Sequence, residues 1–208
     1  ALRQSGRSEE AIANYRRAIA LDPKLVSARN NLGLIHLLSG RPDEALAEFN
    51  QAVAAQPADS ISHRNLAFTL AHLKRHDEAL NEYRESIRLD PSSFNSRLGY
   101  ANLLTDLGRP ADAIPQYAEV ARLDPSSAAA HAGLGLACLR LGSFREAVEH
   151  CRRAIALQPK LASAHHTCGA ALHQLGQSAE ALRHLEEVLR LEPDNPEARA
   201  DFTRLRNA

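Results

Sequence analysis

The sequence contains no methionine, only three lysines (Lys24, Lys74 and Lys160) and three cysteines, and no excess of charge of either sign. Lysine plus arginine and aspartate plus glutamate number 25 each. A chain with no net field is not steered onto nucleic acid or an anionic lipid surface, and no run of like charges marks an interaction tail. Nothing approaches the ~20 apolar residues of a membrane-spanning helix, and no signal peptide is visible. The lack of any methionine, the initiator included, is expected of a segment of a longer protein or of a processed form.

The signatures of catalysis are missing as well. No GxSxG or HExxH occurs, and no paired carboxylates recur in a pocket-like context. Gly133-Leu134-Gly135 lies in a periodic helical stretch with no strand before it, so it is not a phosphate loop. The chain is therefore expected to carry no chemistry of its own and no cofactor.

What the sequence does have is a period. Pro23, Pro57, Pro91, Pro125, Pro159 and Pro193 stand 34 residues apart without a slip. Twelve residues before each proline comes alanine, as Ala11, Ala45, Ala79, Ala113, Ala147 and Ala181. Four residues after each alanine the column is large and mostly aromatic: Tyr15, Phe49, Tyr83 and Tyr117, then Cys151 and Leu185. A small residue recurs as Gly33, Ala67, Ala101, Gly135 and Gly169, and seven residues later glycine stands at 40, 108, 142 and 176, with Gly6 in a partial first unit. A fixed period of this length marks stacked supersecondary units that bury a continuous core only together.

Each unit holds two stretches with apolar residues at helical spacing, Leu32 and Ile35 in one and Leu46, Phe49 and Val53 in the next. The small column suits a close approach of two helices. The turn glycine supplies the positive φ that ends the first helix, and the proline stops the second. Lys74 takes the glycine's place in one unit, at a cost of about 1 kcal/mol. Pro115 falls inside a second helix, where a backbone bond is lost and a bend is expected. Asp194-Asn195-Pro196 offers a cap and a first helical residue for a last, solvating helix that packs Ala198, Phe202 and Leu205.

Asn31-Leu32-Gly33, Gly40, Ala45, Phe49, Ala52 and Pro57 resemble the tetratricopeptide repeat, and the resemblance covers essentially the whole chain. It implies an all-α, right-handed superhelical solenoid of stacked antiparallel helix pairs. The expected division is a truncated repeat over 1–25 and full repeats over 26–59, 60–93, 94–127, 128–161 and 162–195, closed by a helix over 196–208. Ala1 to Gly6 reads as the end of a helix whose start is absent. Such an open end exposes the apolar face of the helix around Glu9 to Leu21, through which copies of the chain could associate.

Two residue types invite a metal reading that the spacing does not support. Cys138, Cys151 and Cys168 stand in apolar columns and form no CxxC, so they read as small buried hydrophobes in a reducing, cytoplasmic setting. His63, His131 and His165 share a column with Arg29 and Arg97, where a flat or long side chain can pack with its polar tip wet. His166 and His173 are separated by roughly 10 Å along one helix, too far to share an ion.

The resemblance places the first helix of each pair on an inner, concave face. Its outward columns predict a groove built from Asn30, Asn31 and Leu34, then Arg64, Asn65, Phe68 and His72, then Leu98, Asn102 and Asp106, then Leu136 and Arg140, and finally His166 and His173. Leu34, Phe68, Leu98 and Leu136 would form an apolar strip with polar edges, suited to a protein or peptide ligand. The chaperone-binding members of the family clamp a carboxylate with lysine and asparagine one turn apart, and Asn30, Leu34, Arg64 and Phe68 do not match that set. Asn31 and Asn65 are similar to the asparagine ladder in the repeat arms of O-GlcNAc transferases, which here breaks at Gly99, Gly133 and Thr167. The expected function is a peptide-binding scaffold. A substrate-recruiting arm of a larger transferase and a self-assembly module are the alternatives.

Overall fold

In the computed structural model the described residues are 2–207, with side chains from Glu9 to Asn207. Among them are twelve α-helices and no strand: α1 (Leu2–Leu21), α2 (Val26–Leu38), α3 (Pro42–Ala55), α4 (Ser60–His72), α5 (His76–Leu89), α6 (Phe94–Asp106), α7 (Pro110–Leu123), α8 (Ala128–Arg140), α9 (Phe144–Leu157), α10 (Ala162–Gln174), α11 (Ser178–Leu191) and α12 (Pro196–Arg206). The chain divides into two compact units, Ala1–Leu103 and Leu104–Ala208.

The turn inside each pair is built the same way every time. In the first, Gly40 has φ +70° and its N–H meets the Leu37 carbonyl at 3.0 Å, while Arg41 N–H reaches the His36 carbonyl at 2.9 Å. These two bonds satisfy carbonyls that the end of α2 would otherwise leave open, and they need a residue in the left-handed region. Gly108, Gly142 and Gly176 do the same at φ +72°, +79° and +75°. Lys74 keeps the geometry at φ +63°, with Arg75 N–H on the Leu70 carbonyl at 2.9 Å, so the expected strain is present there.

The alanine of each second helix is the tightest point of the core: Ala45, Ala79, Ala113, Ala147 and Ala181 are completely buried. Opposite them the small column meets the large one. A Cβ on Gly33 would lie 2.6 Å from the Phe49 ring, so the two helices touch through a glycine and an aromatic. A second small column, Ala28, Ser62, Ser96, Ala130, Ala164 and Ala198, is buried near the start of each first helix. Ser96 there bonds Ser86 of α5 at 2.8 Å, and Ser86 also donates to the Ser60 carbonyl at 2.7 Å.

Cys138, Cys151 and Cys168 are buried together in the second unit's core as free thiols. Burial pushes the Cys151 thiol up to about 12 and the Cys168 thiol up to about 11. The last helix forms as its sequence directs. Asn195 caps it by accepting from Ala198 N–H at 2.9 Å, Pro196 opens it, and Ala198 and Leu205 are buried. Pro115 lies inside α7, as expected.

One expectation fails. The repeat register puts a turn at Gly6, yet α1 runs unbroken from Leu2 to Leu21. Glycine within a helix costs about 1 kcal/mol, and continuing the helix keeps the backbone bonds that a turn there would give up. Ala1, Ala208 and the side chains of residues 2–8 lie outside the described residues, whereas the face of residues 9–21 expected to drive association lies within them, with Ile12 buried and Leu21 exposed.

Candidate functional site

The first unit holds a groove of about 460 Å³ that is lined by side chains from four helices. Leu34 and Leu37 come from α2, Arg64, Asn65 and Phe68 from α4, Tyr83 from α5, and Asn95, Leu98, Gly99 and Asn102 from α6. The period of the chain explains the assembly. Leu34, Phe68 and Asn102 occupy one column at successive 34-residue steps, and Arg64 and Leu98 occupy another.

Six residues expected in the groove therefore meet in it: Leu34, Arg64, Asn65, Phe68, Leu98 and Asn102. Phe68 is the most exposed of its apolar members, at 58%. Arg64 is the one charged residue in the lining. It donates to Asn65 Oδ1 at 3.1 Å, and Asn65 in turn donates to Asn30 Oδ1 at 3.3 Å.

Asn30 is a correction to the expected site. It is buried, and its amide donates to Ser62 Oγ at 2.8 Å and to Asp59 Oδ2 at 3.3 Å. Its amide has both donors and an acceptor, and the seam between α2 and α4 uses them to hold Asn65 in place. Asn30 thus sits behind the groove and orients a residue that lines it. Asn31, His72 and Asp106 are exposed but lie outside the ten lining residues.

Leu37, Tyr83, Asn95 and Gly99 were not expected in the lining. The clue lay in the broken asparagine column. A Cβ on Gly99 would stand 2.6 Å from Tyr83 Oη, so the tyrosine fills the space that a side chain at 99 would need. Tyr117 does the same beneath Gly133 in the second unit, with a Cβ there 2.3 Å from its ring. Burial pushes the Tyr83 phenol up to about 12, so it stays neutral at the groove floor. The two surviving rungs also differ, since Asn31 is exposed and Asn65 is buried and bonded.

The family model described as tetratricopeptide repeat matches residues 1–60, 39–94 and 98–162, and a second model of the same description matches 162–195. The chain belongs to the tetratricopeptide-repeat family. No curated protein matches it. Solved structures that share the tetratricopeptide-repeat fold include YrrB, described as a TPR protein with an unusual peptide-binding site. It is 17% identical, with a TM-score of 0.72 over 89% of this chain and 96% of that one. MamA from Desulfovibrio magneticus RS-1 is 22% identical, with a TM-score of 0.73 over 82% and 97%. TTC0263, a thermophilic TPR protein of Thermus thermophilus, is 21% identical, with a TM-score of 0.69 over 88% and 100%.

In the second unit the tetratricopeptide repeats use their predicted groove residues differently. His166 is half-buried and its Nε2 lies 3.0 Å from Asp201 Oδ2 of α12. His173, Gln174, Asp201 and Arg204 line a cavity of about 140 Å³ at the α10–α12 contact. The last helix thus packs against His166, while His173 stays exposed beside the cavity. Leu136 is half-buried, and Arg140 is exposed with its guanidinium donating to the Thr105 carbonyl. No helix among the described residues is long and apolar enough to cross a membrane, and no three histidine, cysteine or carboxylate side chains among them are placed to hold a metal ion.

Proposed function

We propose that the chain is a non-catalytic protein-binding module whose groove in the first unit takes a short peptide. The observation that carries this reading is Phe68, a large apolar side chain left 58% exposed on the wall of a groove with Leu34, Leu37 and Leu98. An isolated exposed phenylalanine needs no explanation, but one set in an apolar groove with polar ends is the arrangement that anchors a ligand side chain. Arg64 is the only charge in the lining, so the fitting ligand pairs an apolar anchor with an acidic group. Asn95 offers an amide at the edge for a peptide backbone. YrrB, with its described peptide-binding site, supports the reading by showing that one protein of this fold binds a peptide.

The test is a displayed peptide library selected on the intact chain, with the selected peptides measured by calorimetry. Peptides with an apolar residue near an acidic one are expected, and Phe68→Ala should weaken them at least tenfold, a loss of about 1.4 kcal/mol. Helical content and melting should hardly change, because Phe68 is exposed. Peptides that bind Phe68→Ala as tightly as the parent would move the site elsewhere.

A further inference from the structure

One buried contact recurs along the chain and changes its chemistry halfway. Six residues after Pro23, Pro57 and Pro159, a side chain reaches back to the proline carbonyl and across to the second helix. Arg29 donates to the Pro23 carbonyl at 3.2 Å and to Glu48 at 3.0 Å. His63 lies 3.0 Å from the Pro57 carbonyl and 2.5 Å from Glu82. Both set the side chain against a carboxylate. In the second unit the same two columns hold histidine twice, as His131 with His150 and His165 with His184. The first pair stacks at 5.7 Å between ring centroids, and the second places Nδ1 3.0 Å from Nδ1.

Hydrogen bonding fixes where the protons are. The Pro159 carbonyl, 3.0 Å from His165 Nε2, can only accept, so that nitrogen carries hydrogen and Nδ1 of the neutral ring is a lone pair. His184 must then donate from Nδ1, which leaves its Nε2 to accept from the Cys168 thiol at 3.4 Å. In the other pair, His131 Nδ1 and His150 Nδ1 are both buried without a partner. A neutral imidazole can leave one nitrogen bare at modest cost, but an imidazolium has two N–H groups to satisfy.

The neighbouring charges offer little relief. Near His131 and His150, Glu149 and Arg153 of α9 pair with each other at 2.9 Å, Glu146 of α9 takes the Cys138 thiol, and Arg122 of α7 lines the cavity beside His131. Near His165 and His184, Glu180 of α11 is held by Arg152 of α9 at 2.6 Å and Glu187 by Arg190 at 2.5 Å, with Arg183 adding positive charge. On α12, Asp201 is taken by His166 and Arg204.

We propose that the two histidine pairs make the second unit acid-sensitive: neutral, they join α8 to α9 and α10 to α11, and protonation loosens those helix pairs while the first unit stays folded. Burial holds His131, His150 and His184 below the ordinary 6.5. Groups lowered on folding stabilise above their unfolded value, and that stability is lost as pH falls through the folded ones. The window therefore opens below about pH 6.5. In the first unit His36 is lowered by burial in the same way and its Nδ1, like that of His76, is buried without a partner, but there Arg29 and His63 face the carboxylates of Glu48 and Glu82 rather than a second histidine.

The experiment is hydrogen exchange read by peptide mass spectrometry on the intact chain at pH 7.5 and 5.5, corrected for intrinsic rates. Protection over α8–α11 should fall at least about tenfold more than over α2–α5, the effect of one pH unit of lost linkage. His150→Glu with His184→Glu restores the pairing seen at His63–Glu82 and should abolish that difference, while Glu82→His should bring acid sensitivity to α4–α5. Equal losses in both units of the parent would overturn the proposal, as would a parent-like loss in the double glutamate variant. Should that variant not fold, the parent and Glu82→His decide the matter.

Discussion

Gly99 of α6 rests on the ring of Tyr83 from α5, so closely that a Cβ at 99 would stand 2.6 Å from the phenol oxygen. The glycine and the tyrosine together form one wall of the groove in the first unit. Gly99→Ala should therefore cost about 1–3 kcal/mol in urea denaturation, the usual penalty of overpacking. Tyr83→Leu in the same chain should recover part of that cost, because the two changes share one contact. Additive losses in the double variant would show that the glycine answers to some other constraint.

Lys74 is the one described non-glycine residue with positive φ, at +63°. Its backbone bonds match those of the glycine turns, so its side chain contributes only strain. Lys74→Gly should stabilise the chain by up to about 1 kcal/mol, with the greater freedom of glycine in the unfolded chain offsetting part of the gain. Thermal melting of this variant beside Gly40→Ala, which should lose a similar amount, checks both signs.

Asn30 holds Asn65 through a chain of bonds that ends on Ser62 and Asp59. Asn30→Ala leaves buried donors and acceptors unpaired and should cost about 1–3 kcal/mol. It should also weaken a groove peptide more than its distance from the surface suggests, since Asn65 is released. Denaturation and calorimetry on the same variant separate the two effects; unchanged affinity would leave Asn30 with a purely structural role.

Cys151 and Cys168 are buried thiols raised to about 12 and about 11. At pH 8 almost none of either is thiolate, so iodoacetamide should label them only as fast as the second unit opens. Mass spectrometry after native labelling should find them unmodified and, in urea, fully modified. Rapid native labelling would mean that the core of the second unit is open.

The proline period and its columns were enough to specify the helices and turns from α2 onward and most of the core, because those features are local: a glycine at positive φ or an alanine under a facing helix leaves its mark in nearly every copy. Six of the ten residues that line the groove were expected together for the same reason. Leu34, Phe68 and Asn102 repeat at the step of the stack, so sharing a column put them on one wall. What the columns could not give is which neighbour fills a shared space. Only the packed structure shows that Tyr83 occupies the room next to Gly99, that Asn30 turns into the α2–α4 seam, and that α12 lies against His166. Those outcomes depend on side chains from different helices competing for one volume or one hydrogen bond, and a sequence read column by column does not contain the distances that settle the competition.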